Sequence, residues 1–133
     1  MPTKENMKNM FSFFDFFCRE YEVLWKGKTM EMTDNYAIIE NYLMIRMPDE
    51  VDHHKAADIC RMADNYITHS KVENVVFDFE DTKFMDSSGI GIIMGRYKKI
   101  SCFGGRVYVI HADQRVRRML AASGMLKIVT IMD

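Results

Sequence analysis

The residues with the clearest chemical promise are Phe84-Met85-Asp86-Ser87-Ser88-Gly89-Ile90-Gly91, where two adjacent serines stand between an aspartate and two glycines. The pattern predicts a strand ending near Glu80, a short polar loop, and a helix beginning at about Ser87. Asp and Ser are favoured at helix starts because their oxygens accept hydrogen bonds from backbone N–H groups that the helix leaves unpaired. An ordinary helix cap therefore explains these residues. A second reading rests on their small size, which leaves the corner open beyond the carboxyl end of a sheet strand, where α/β sheets carry their sites. A serine modified by another enzyme needs only exposure and a recognisable backbone, and this loop supplies both. Nucleophilic catalysis demands more: a histidine base with its own carboxylate, commonly on a GxSxG elbow. None of His53, His54, His69 and His111 falls into such a pattern.

Other candidates carry less. Gly89, Gly91 and Gly95 are spaced GxGxxxG, with Met94 where a dinucleotide fingerprint needs its third glycine. The simpler expectation is that Gly91 and Gly95 let this helix pack closely on a neighbour. Asp78 or Asp86 could accept a phosphoryl group as in two-component receivers, but the acidic pair and the lysine that such receivers need are not found. His53 and His54 look like a metal pair, yet neighbours on a helix point about 100° apart, unlike the i, i+4 ligands of metalloproteases. Asp52, just before them, is a natural N-cap. The run Gln114-Arg115-Val116-Arg117-Arg118 offers a short basic face, which reads as solvated rather than as an anion or RNA contact. Cys18, Cys60 and Cys102 lack CxxC or Cys/His spacing and read as reduced thiols filling space.

The elements that must position these residues follow from hydrophobic period. Residues 36–39 and 42–47 are two apolar runs around Glu40-Asn41, which suits a hairpin. Ala56, Ile59, Cys60, Ala63, Tyr66 and Ile67 recur at helical spacing within 53–69. Asn74 to Phe79 reads as a central, mostly buried strand. From Ser87, a helical stripe runs through Ile90, Ile93, Met94, Tyr97 and Ile100; Gly104-Gly105 interrupts the chain, and 106–110 alternates as a strand. Val116, Met119, Leu120 and Ser123 mark a third helix that Gly124 should end, and 126–131 reads as a last strand. The order β-β-α-β-α-β-α-β predicts an α/β fold, a mixed β-sheet with crossover helices.

Composition limits what such a domain can do. The 133 residues, 48% hydrophobic and 28% charged, suffice for one domain with a core of its own. A formal net charge of -1 leaves no global field to hold a polyanion, so direct DNA or RNA binding is not expected. Thirteen methionines suggest core packing rather than chemistry. No segment reaches the roughly 18–20 apolar residues of a membrane span. The Phe-rich start lacks the small residues of a signal cleavage site, so a cytoplasmic location and no membrane association are expected. Residues 1–31 form an N-terminal extension, read as a disordered tail, an extra helix, or upstream sequence translated ahead of a start at Met30 or Met32.

Val75 to Asp133, with FMDSSGIGIIMGRYKKI at its centre, resembles the anti-sigma factor antagonists of the STAS class, above all the sporulation type that opposes the anti-sigma F factor. The likeness extends back through YLMIRMPDEVDHHKA, so that 32–133 is read as the STAS domain. The resemblance implies a STAS-type mixed sheet packed with α-helices, and Ser87 as a phosphorylation site. It places Asp52, His53, Asp86, Ser87, Ser88 and Gly89 on a partner-facing surface. The implied partners are an anti-sigma factor that is also the serine kinase, and a metal-dependent serine phosphatase. No catalytic residue, metal or cofactor is implied, so the chain would be a substrate and partner rather than an enzyme. STAS modules also serve stress-response sigma pathways or sense a small ligand or nucleotide, and the serine motif does not separate these. Two departures stand out. Pro48-Asp49 precedes Glu50-Val51-Asp52 where the family usually has a glycine, which alters the loop beside the expected interface. The family also usually adds a helix after the last strand, so part of the sheet or a helix flank is expected to lie uncovered here.

Overall fold

The computed structural model describes residues 35–132. The readings of the 1–31 extension and of Cys18 lie outside these residues. In chain order the elements are β1 (Tyr36–Ile39), β2 (Tyr42–Arg46), β3 (Glu50–Val51), α1 (His53–His69), β4 (Asn74–Asp78), β5 (Phe84–Met85), α2 (Ser87–Ser101), β6 (Val107–Ile110), α3 (Gln114–Ala122), a 3-10 turn (Met125–Lys127) and β7 (Val129–Met132). The main sheet has five strands in the order β1-β2-β4-β6-β7. β1 runs antiparallel to β2 through the Glu40-Asn41 turn, where Glu40 adopts φ 54. The pairs β2–β4, β4–β6 and β6–β7 are parallel. This is the expected mixed sheet.

Each helix links successive parallel neighbours, and right-handed crossovers in one direction put α1, α2 and α3 on one face of the sheet. Alternation then assigns the core. Leu43, Ile45, Val75, Phe77, Val107 and Val109 meet Ile59, Ala63, Ile92, Ile93, Val116 and Leu120 from the helices. α1 and α2 are also tied by charge: Arg96, with its side chain 7% exposed, places Nε 2.9 Å from Asp64 Oδ1, while Lys99 Nζ lies 2.7 Å from Asp64 Oδ2. A buried guanidinium needs such a partner to offset its desolvation.

Three expectations are corrected. The segment read as a strand over 126–131 divides: Met125 is fully buried, the chain turns through Met125–Lys127 with Gly124 at φ 77, and pairing begins only at Val129. Gly91 and Gly95 are not close-packing positions, since a Cβ at either would meet nothing within 4 Å. Tight approaches occur instead at Gly89, against the Met85 side chain, and at Gly105, against the Glu73 carbonyl. Cys60 is half-buried, but Cys102 is exposed at the end of α2 and fills no space, its Sγ lying 3.2 Å from the Lys98 carbonyl.

Candidate functional site

The segment read as a short polar loop between Glu80 and Ser87 contains β5, which pairs in parallel with β3: Glu50 opposite Phe84, Val51 opposite Met85. This two-stranded ladder brings the starts of α1 and α2 together. One residue beyond it on each side stands a helix cap. Asp52 Oδ1 accepts from the Lys55 backbone N–H at 3.0 Å, and Asp86 Oδ1 accepts from the Ser88 N–H at 2.8 Å. The Asp86 N–H in turn donates to the Val51 carbonyl at 3.0 Å, extending the ladder to the second cap.

Pro48-Asp49 is bound into the same frame. The Thr82 hydroxyl donates to the Pro48 carbonyl at 2.8 Å, and the Asp49 carbonyl accepts from the N–H groups of Lys83 and Phe84. The Asp49 carboxylate accepts from the Glu50 N–H at 2.9 Å and faces Lys55 Nζ at 3.4 Å. These contacts, the Glu50 N–H first, hold the Asp49 carboxyl below its usual range. The Asp52 carboxyl is likewise held low, chiefly by the Lys55 N–H, with the charges of His54 and Lys55 helping. Asp49 and Asp52 are therefore anionic at neutral pH.

Ser87, the first residue of α2, is exposed, and its hydroxyl has no hydrogen-bond partner among the described residues. Ser88 is half-buried, with its N–H spent on Asp86. Gly89 is buried: its N–H bonds the Asp86 carbonyl at 3.0 Å, and its missing side chain leaves room for Met85. Gly89 therefore shapes the first turn of α2 from inside. His53 and His54 are exposed on the first turn of α1 with ring centroids 4.0 Å apart. The basic run on α3 is partly structural, since Arg115 Nη1 donates to the Lys83 carbonyl at 2.9 Å and Arg117 Nε to the Ala112 carbonyl at 3.1 Å.

Sequence reasoning missed Phe84. It lies two residues before Asp86 and is 48% exposed, a large apolar side chain left in solvent. Its neighbour Met85 is buried, so the two-residue strand turns one side chain in and one out. The signal was present in the alternation but too short to read.

Fold and site together define a small α/β domain that displays a serine where two capped helix starts converge. A family model for the STAS domain matches residues 34–133, and the chain belongs to that family. It is 38% identical over 91 residues to an anti-sigma F factor antagonist from Paenibacillus polymyxa, an alignment covering 68% of this chain and 78% of that protein. Among solved structures it is similar to the anti-sigma factor antagonist SpoIIAA in its unphosphorylated form, with TM-score 0.64 and 25% identity over 74% of this chain and 86% of that one. It is equally similar to the Bacillus cell fate determinant SpoIIAA in the phosphorylated form, with TM-score 0.63 and 25% identity over 74% of this chain and 90% of that one. Among the described residues no helix is long and apolar enough to cross a membrane.

Proposed function

We propose that this chain is an anti-sigma factor antagonist controlled by phosphorylation of Ser87. In its unmodified form it binds an anti-sigma factor that is also a serine kinase, and the sigma factor so released activates sporulation transcription. Phosphorylation at Ser87 ends the interaction, and a metal-dependent serine phosphatase restores it. The chain acts as substrate and partner, with no chemistry of its own. The observation that carries this reading is the exposed, uncommitted Ser87 hydroxyl on a frame of spent groups, in a chain whose relatives bear the antagonist's name.

The physics of the switch follows from that frame. A phosphate adds about -1.5 to -2 charges, and a helix N-terminus tolerates an anion through its dipole. The modification therefore acts across the interface, by bulk and by repulsion from carboxylates of the partner. A loss of about 3 kcal/mol weakens a complex roughly a hundredfold, and one desolvated like-charge contact is enough for it.

Labelling with the cognate kinase and radioactive ATP tests the assignment. Wild type and Ser88→Ala should incorporate phosphate and Ser87→Ala should not. Label retained in Ser87→Ala removes the site.

A further inference from the structure

At the carboxyl ends of β4 and β6, a second cluster of side chains has no part in the Ser87 switch. We propose that Asp78, Glu80 and His111 bind one first-row divalent transition-metal ion. Asp78 closes β4 and is 1% exposed, and it stands in register with Ile110, the last residue of β6. The next residue, His111, has φ 55, a left-handed conformation that a residue with a Cβ adopts at some cost. That turn holds the imidazole against Asp78. His111 Nδ1 lies 2.9 Å from Asp78 Oδ1 and 3.9 Å from Glu80 Oε2, and one donor atom from each of the three residues falls within 4.8 Å of the others.

Two ligands about 2.0–2.2 Å from one ion stand roughly 3–3.6 Å apart, so small side-chain shifts bring all three donors into a common coordination sphere. The Asp78 carboxylate is already oriented, because its Oδ1 accepts the Glu80 N–H at 2.9 Å. Ligands fixed in this way by outer contacts hold metals better than loose ones. Exposed Glu80 and the partly exposed imidazole leave an open side for entry and for water ligands.

Charge points the same way. Arg46 faces Glu80 Oε2 through Nη2 and Asp81 Oδ2 through Nε, each at 3.1 Å. Glu80 and Asp81 thus share this one guanidinium, and with the buried Asp78 held against His111 the carboxylates here outnumber it. A divalent ion takes Glu80 from Arg46, leaves Arg46 on Asp81, and is neutralised by Asp78 and Glu80 with His111 as its neutral donor. One imidazole with two carboxylates suits Zn, Mn, Fe or Ni; Mg and Ca prefer all-oxygen sites.

Zn2+ is the probe, titrated calorimetrically into the full chain after EDTA treatment, with melting curves recorded alongside. Wild type should take up one ion and melt higher in its presence. His111→Ala and Glu80→Gln, both at solvent-facing positions, should each bind at least about tenfold more weakly and lose the melting shift. A His53→Ala, His54→Ala double variant should bind as wild type does, and millimolar Mg2+ should not compete. The proposal is overturned if wild type takes up no Zn2+, if His111→Ala binds with unchanged affinity, or if binding disappears in the double variant.

Discussion

Around the helix starts, residues differ in whether the fold has already used their polar atoms. Asp86 spends Oδ1 and its carbonyl on the first turn of α2 and its N–H on Val51, so a change there disturbs the fold first. Asp52 spends one oxygen on the Lys55 N–H and keeps the rest of its carboxylate available. Asn caps a helix as well as Asp, so Asp52→Asn should leave the melting temperature unchanged. If the charge meets a basic group on the anti-sigma factor, the same variant should bind roughly tenfold to a hundredfold more weakly, the usual loss of a charge-assisted bond. Calorimetric titration of the kinase with both proteins checks this, and equal affinities would reduce Asp52 to a cap. The acid response separates the two as well. Because the folded carboxyl sits below its unfolded value, the cap's stabilisation is complete above the ordinary Asp range and is lost as pH falls through the lowered value. In Asp52→Asn that acid-dependent part should vanish, which proton titration followed by NMR can measure.

At the scale of elements, two glycines within four residues of Ser87 should behave in opposite ways. Ala at Gly89 forces its Cβ into the buried Met85 side chain, and overpacking of this kind costs about 1–3 kcal/mol. Ala at Gly91 meets open space in an ordinary helical conformation and should stabilise by about 0.5–1 kcal/mol through helix propensity. Denaturant unfolding of both variants gives the two signs directly. These expectations also mark what could be read from sequence. α1 and α2 were legible because 17 and 15 residues carry a repeated apolar stripe and each starts on an aspartate. Central strands such as Val75–Phe77 were legible from their β-branched and aromatic run. β3 and β5 were not, because two residues hold no period and neither strand exists without the other. By local pattern Asp52 and Ser87 were therefore separate helix starts; only the family resemblance put them on one surface, and the ladder supplies the geometry that joins them. The pairing of Asp78 with His111 was hidden for the same reason: it depends on the β4–β6 register, not on local pattern. The 126–131 run shows the reverse error: it resembled a strand, but Leu126 and Lys127 belong to a turn and pairing starts only at Val129.

For the whole molecule, the question is whether the switch works by reshaping the fold or by changing its surface. Each bond that builds the site comes from residues flanking Ser87: Asp86 to the Ser88 and Gly89 N–H groups, Val51 to the Asp86 N–H, Asp49 to Lys83 and Phe84. Beneath them lie the buried Val51 and Met85, and α2 is pinned to α1 by Arg96 and Asp64. None of these contacts uses the Ser87 side chain, and the added charge falls at the end of α2 that favours anions. Ser87→Asp should therefore melt within a few degrees of wild type, as surface changes usually stay within about 0.5 kcal/mol. Its affinity for the anti-sigma factor should fall in the same samples, because the new carboxylate carries into the interface part of the charge a phosphate would bring. Thermal melts and calorimetric titration on one preparation read both quantities. A large drop in melting temperature would mean that modification unfolds the β3–β5 corner, and the repulsion mechanism would give way to one in which the partner-facing surface is dismantled.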